Sequence, residues 1–186
     1  MAERLEDTYL AEATEQFRHL KRMADKAIAQ IPADAFLHAP DAESNSVALI
    51  VKHIAGNLRS RWTDFLTTDG EKPDRHRDQE FETTDHDSHE VLLKQWETGW
   101  SLVFETMESL APADLEKTVL IREEPHSVLK AIQRQLTHNA YHVGQIVFLA
   151  KQLRSADWKT LTIPRGKTEE FNAKMRERFR GAARAF

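Results

Sequence analysis

No cysteine occurs among the 186 residues. Disulfides and thiolate ligands are thereby excluded, and any metal site has to use His, Asp, Glu or amide groups. Glycine and proline are scarce, at six each. A many-turned β fold needs more of both, whereas 30% charged residues suit long amphipathic helices. Charge of one sign is also lacking: a formal net charge of -4 gives no default reason to bind nucleic acid. The longest apolar runs, such as residues 47–51, are five residues, far short of the ~20 that a membrane span requires. The start, Met1-Ala2-Glu3-Arg4, is charged with no apolar run behind it, unlike a secretory signal. The expectation is a soluble cytoplasmic protein with no membrane partner. The length predicts one domain, or one domain with an appendage, able to bury a sizeable core.

What is present is helical periodicity. Leu10, Phe17, Leu20, Met23, Ala27 and Ile31 recur at three- and four-residue spacing, predicting a first long helix over residues 7–31 that Pro32 closes. A second opens at Asn45 or Ser46, both good N-caps, and carries Val47, Ile50, Val51, Ile54, Leu58, Trp62 and Phe65. A third begins with an Asp87-Ser88-His89-Glu90 capping box and runs to about Leu110, with Trp96 and Trp100 on its apolar stripe. A fourth follows Pro125 and reaches about Leu153, carrying Val128, Ile132, Val143 and Ile146 on its apolar face.

The connections predict the topology. Residues 67–87 are charged, contain Gly and Pro and show no apolar periodicity. Loops this long are usually functional, disordered or crossovers. The second helix is roughly 30 Å long at ~1.5 Å per residue, and this stretch can run its full length. Helices two and three would then be parallel, in an all-α four-helix bundle with one long crossover. Residues 111–114 read as a turn and residues 118–121 as a short extended piece. The predicted division is residues 1–154 for the bundle and residues 155–186 for a C-terminal loop and short helix. Phe171, Met175 and Phe179 recur at every fourth position there, giving that helix a face to pack on the bundle or on a dimer partner. From Arg165 onward seven Lys/Arg stand against three Asp/Glu, which reads as a solvated helix face.

The chemistry concentrates in His138-Asn139-Ala140-Tyr141-His142. Two histidines four apart lie one turn apart on one helix face, so both imidazoles can reach one metal ion. His53, on the second helix, is the candidate third ligand. Three nitrogen ligands leave coordination positions open, as catalytic sites do. Projected at about 100° per residue, the histidines flank the apolar faces of both helices and do not sit in their middle. Asn57 follows His53 by one turn and Gln145 lies beside His142, with Gln135 nearby. Asn57 and Gln145 are therefore candidates to support the ligands or contact substrate. Tyr141 projects away from the pair and reads as a packing residue. His76, His86 and His89 fall in or beside the charged loop and read as solvated, although an Asp or Glu of that loop could supply a distant ligand. His19, His38 and His126 have no second ligand at useful spacing. Three imidazoles suit zinc, nickel, copper or iron, with zinc or nickel favoured. No phosphate loop, paired carboxylates or Ser/His/Asp arrangement offers another centre, and no catalytic residue is assigned.

The segment Val51-Lys52-His53-Ile54-Ala55-Gly56-Asn57-Leu58, its continuation Arg59-Ser60-Arg61-Trp62-Thr63-Asp64-Phe65 as far as Pro73, and His138-Asn139-Ala140-Tyr141-His142-Val143-Gly144-Gln145-Ile146 resemble the DinB-like superfamily. The likeness is closest to its branch of uncharacterised metal-dependent enzymes and covers nearly the whole chain. It implies a four-helix bundle of up-down-down-up topology. It also implies a divalent metal held by one His of helix two and the HxxxH pair of helix four, matching His53, His138 and His142. Relatives include thiol-dependent S-transferases and a thiol-dependent isomerase, and many are dimeric. The resemblance thus implies a homodimer that transfers a low-molecular-weight thiol to a small electrophile in a detoxification or stress role. A metal-dependent hydrolase and a non-enzymatic metal-binding stress protein are the alternatives.

Overall fold

The computed structural model describes residues 4–180. The charged start at residues 1–3 and the end of the basic tail at residues 181–186 lie outside the described residues. Among the described residues the chain is mostly helical, with six helices and one two-stranded sheet.

Four helices are long. The first, α1 (Leu5–Ile28), ends three residues earlier than its apolar spacing predicts, because the chain turns through Ala29 and Gln30. Ile31 stays buried beyond it, and Pro32 opens the short α2 (Ala33–Phe36). Helix α3 (Val47–Trp62) starts at Ser46, whose hydroxyl accepts from the Leu49 N–H. It stops at Trp62, and Phe65 stacks on Trp62 from outside the helix at 4.9 Å between ring centroids. Helix α4 (His89–Ser109) is capped by Ser88, accepting from Val91 N–H. The expected capping box does not form, because Asp87 is drawn to Lys52 Nζ at 2.7 Å and to Thr84. Two strands, β1 (Thr118–Ile121) and β2 (Glu124–Ser127), precede α5 (Val128–Arg154). Pro125 thus sits in a strand, and Ser127 caps α5 by accepting from Lys130 N–H. The last helix, α6 (Thr168–Arg178), has no buried residue, and Phe171 and Phe179 are exposed.

Polar contacts fix the helix directions. Helix α3 runs alongside α4 in the same sense: Lys52 meets Asp87 at one end, and Thr106 Oγ1 donates to the Trp62 carbonyl at the other. Between these points Gly99 lets the backbones close up, since a Cβ there would lie 3.2 Å from Leu58 Cβ and 3.3 Å from the Ala55 carbonyl. Helices α1 and α5 also share a direction, with Tyr9 donating to Leu129 O near their starts and Gln30 to Lys159 O past their ends. The two pairs oppose each other. Trp96 Nε1 donates to Asp25 at 2.9 Å and Arg18 meets Glu108 at 3.2 Å across α1 and α4. Gln135 reaches Asn57 at 3.0 Å across α5 and α3.

The core between the long helices is rich in aromatics. Phe17 meets the edges of Trp62 and Trp100, and Trp96 meets Trp100. Trp96 and Trp100 are fully buried within the chain, so their apolar bulk is satisfied internally and gives no argument for a dimer. Trp158 packs on the same core from beyond α5.

The crossover between α3 and α4 is not featureless. It carries a 3-10 turn over Arg77–Phe81 that lies against α3. Its earlier part is tied to β1 by Gly70 N–H donating to Leu120 O at 2.8 Å. Asp69 accepts from the N–H groups of Arg122 and Glu123 at 2.9 and 2.8 Å. Those two residues form the hairpin turn with φ of 56° and 65°, a conformation that usually calls for Gly or Asn. The crossover carboxylate offsets that strain. Among the described residues no helix is long and apolar enough to cross a membrane.

Candidate metal centre

Three histidines meet where α3 crosses the middle of α5. His53 comes from α3, and His138 and His142 lie one turn apart on α5. One ring nitrogen of each falls within 4.8 Å of the other two. His53 Nε2 and His138 Nε2 face each other at 3.2 Å. Two imidazole nitrogens about 2.0–2.1 Å from a tetrahedral ion stand roughly 3.3 Å apart. The 3.2 Å between His53 and His138 is compatible with that spacing, and the His142 nitrogen lies within 4.8 Å of both.

The outer nitrogens decide which lone pairs face inward. His53 Nδ1 lies 2.8 Å from Glu80 Oε2. Burial by itself would raise the Glu80 carboxyl, but hydrogen bonds from His53 and Arg75 hold it below its ordinary range. Arg75 grips both oxygens, Nε to Oε1 at 2.8 Å and Nη2 to Oε2 at 2.9 Å. Glu80 is thus an ionised acceptor and His53 Nδ1 the donor, leaving the Nε2 lone pair directed at His138. His142 Nδ1 makes the corresponding bond to Gln145 Oε1 at 2.8 Å. A carbonyl or carboxylate on the outer nitrogen is the usual way a ligand imidazole is oriented and made more basic. Phe81 lies against the His53 ring, 4.6 Å between centroids. His138 Nδ1 is buried without a hydrogen-bond partner among the described residues.

Burial, followed by the fields of His142 and His53, pushes His138 down to about 3, and burial likewise lowers His142. Both are therefore neutral near pH 7, the form that binds metal. In the metal-free chain the same depression makes the fold acid-sensitive. The unfolded chain takes up a proton at His138 near its ordinary 6.5, and the native chain only near 3. Stability present above pH 6.5 is therefore lost progressively as pH falls towards 3. The urea midpoint of metal-free protein is expected to drop more steeply between about pH 7.5 and about pH 5 than that of His138→Gln. Equal slopes would contradict this.

The centre opens into a cavity of about 470 Å³, within the range of small-molecule sites. Asn57 and Gln145 both line it. Gln145 is tied to a histidine, whereas Asn57 accepts from Gln135, which also bonds Asn139 at 2.7 Å. Tyr141 departs from the expected packing role: it is 65% exposed and stands at the cavity wall beside His142. The remaining histidines stay apart from the centre. His19, His38, His76 and His86 are exposed. His89 is half-buried against Phe36, and His126 is buried with Nδ1 bonded to the Glu124 carbonyl.

Glu80, Arg75 and Phe81 were not singled out by sequence reasoning, because the crossover that delivers them has no periodicity. One local sign was present. Gly56, in the middle of α3, faces Glu80 so closely that a Cβ there would lie 2.4 Å from Oε1. A glycine inside an amphipathic helix marks close approach by another group.

The chain belongs to the family described as protein of unknown function (DUF1572), which it matches over residues 4–167. No curated protein matches it. The match takes in all three histidines, Glu80 and Gln145.

Proposed function

We propose that this family member is a divalent-metal-dependent enzyme on a DinB-like four-helix bundle, in which His53, His138 and His142 hold one zinc or nickel ion and a low-molecular-weight thiol is transferred to a small electrophile. Support for the bundle comes from the directions of α1, α3, α4 and α5, which follow an up-down-down-up order with the crossover after α3. The observation that carries the metal reading is the three converging nitrogens, two of them oriented through their outer nitrogens by Glu80 and Gln145. Among the described residues no carboxylate joins that group, so the three histidines would hold an ion and leave room for a further ligand from the cavity. A divalent ion there supplies Lewis acidity, lowering the pKa of a thiol or water so that a nucleophile exists near neutral pH. Glu80, held by Arg75, fixes His53; Gln145 fixes His142; Trp62, Phe65 and Phe81 give the cavity apolar walls. The thiol rests on the family likeness of the His53 and His138–His142 segments.

The test is to load the protein with zinc or nickel and assay a panel of small thiols and electrophiles. Turnover should need both metal and thiol and vanish in His138→Ala. Gln145→Ala should keep its metal stoichiometry at saturating metal and lose at least about tenfold in rate, because it removes the acceptor on His142 Nδ1 and no ligand. Turnover without thiol would instead identify a hydrolase. Metal uptake with no turnover would leave a metal-binding stress protein.

The same likeness supports a homodimer. The exposed Tyr141 and Phe148 of α5, at 65% and 68%, Phe171 of α6 and Phe179 just past its end are apolar surface that a second copy would cover. Light scattering over a range of concentrations should give twice the mass of the chain; a monomer throughout would refute this.

A further inference from the structure

We propose that the cavity above the three histidines takes a small organic anion, a carboxylate or phosphate on an apolar body, with the anionic group seated on Arg134 in a cavity that Arg122 and Arg77 also line. The proposal rests on reading the site as that of an enzyme, and it names the substrate class.

Among the described residues five guanidinium groups line the cavity, from Arg61, Arg75, Arg77, Arg122 and Arg134, and no carboxylate does. This occurs in a chain whose net charge is -4. The five divide by their partners. Arg61 is spent on the Gly70 carbonyl and on Glu71, and Arg75 on Glu80. Glu71 answers Arg61, Arg75 and Arg122 at once, at 2.7, 3.2 and 3.3 Å, so one carboxylate is shared by three cations. Arg77 rests over Phe81 and, among the described residues, pairs only with the 94%-exposed Asp78 at 3.4 Å. Arg134 forms no ion pair or side-chain hydrogen bond among the described residues. The positive charge is therefore uncompensated on the cavity side, where an anion is attracted before it docks.

Arg134 also has the right position. It lies four residues before His138 on α5, one turn along the same face. A group gripped by its fork would lie about one helical turn from the histidines and present the rest of the molecule to them. Trp62, Phe65 and Phe81 provide apolar wall for that remainder.

Benzoate, phenyl phosphate and neutral benzamide, titrated calorimetrically into metal-free and zinc-loaded protein, test this. Both anions should bind metal-free protein, and benzamide about tenfold more weakly or not at all. Whichever anion binds more tightly identifies the head group. Arg134→Gln should weaken both anions about tenfold and Arg134→Lys less, because lysine keeps the charge and loses the fork. Zinc stoichiometry should not change in either variant. His138→Ala, which removes a ligand nitrogen, should still bind the anions in metal-free form. Anion binding that persists in a protein taking up neither zinc nor nickel would sink the metal reading and leave this proposal standing. Equal binding of benzamide would overturn the proposal, as would anion binding seen only with zinc and unchanged in Arg134→Gln.

Discussion

Glu80→Ala is expected to lower folding stability by about 3–5 kcal/mol and metal affinity by about 10–100-fold. The Arg75 side chain is 3% exposed and the Glu80 side chain 9%. Removing the carboxylate leaves a buried guanidinium facing only the shared Glu71, and an uncompensated buried charge is costlier than the pair was stabilising. The same change takes the acceptor from His53 Nδ1, so the ring loses its fixed orientation and its inward lone pair. Glu80→Gln keeps the shape and one acceptor, and should lose less of both. Gly56→Ala disturbs the same carboxylate from the side of α3. Its new Cβ would fall 2.4 Å from Glu80 Oε1 and push the carboxylate aside without deleting a charge, so metal affinity should suffer along with stability. Urea unfolding and competitive metal titration read both quantities. A Glu80→Ala protein within about 1 kcal/mol of the parent and with unchanged metal affinity would show that the crossover merely covers the site.

Metal loading is the second large effect. An ion that binds the native chain and not the unfolded one stabilises by about 4 kcal/mol at a thousandfold excess over its dissociation constant. In a chain of this length that raises the melting temperature by on the order of 10 °C. A chelator should reverse it. In His138→Ala the increment should vanish, while the exposed His76→Ala should keep it in full. An increment of the same size in both variants would place the ion elsewhere.

The long helices could be read from the sequence because their signal is local. Apolar spacing along α1, α3, α4 and α5 registers which face is buried, and Ser46 marked the start of α3. Where the structure departs from that reading, a residue far away decides the outcome. Asp87 has the chemistry of a cap for α4, but Lys52 and Thr84 recruit it and Ser88 caps instead. The Arg122-Glu123 turn carries no turn residue, and Asp69, more than fifty positions earlier, holds it. The β2 strand was hidden for the same reason, so the fourth helix was expected to follow Pro125 directly.

The site divides in the same way. His138 and His142 are visible as a pair because a helix places fourth neighbours together, and His53 because its helix is equally regular. Glu80 and Arg75 arrive through a crossover whose path is set by contacts with α3 and β1, and nothing periodic announces them. The arginines of the cavity are scattered over α3, the crossover, the hairpin and α5, and only the fold gathers them. On the helix wheel Tyr141 projects away from the histidine pair, which reads as packing. The wheel describes a helix surrounded evenly, whereas one flank of α5 borders the cavity.

The central claim is that three histidines hold one ion. Elemental analysis of untagged protein, the parent beside His53→Ala, His138→Ala and His142→Ala, tests it most directly. The account predicts one divalent metal per parent chain after loading and dialysis, and clear loss in each variant. Full stoichiometry in all three variants, or a folded parent that retains no metal, would contradict it.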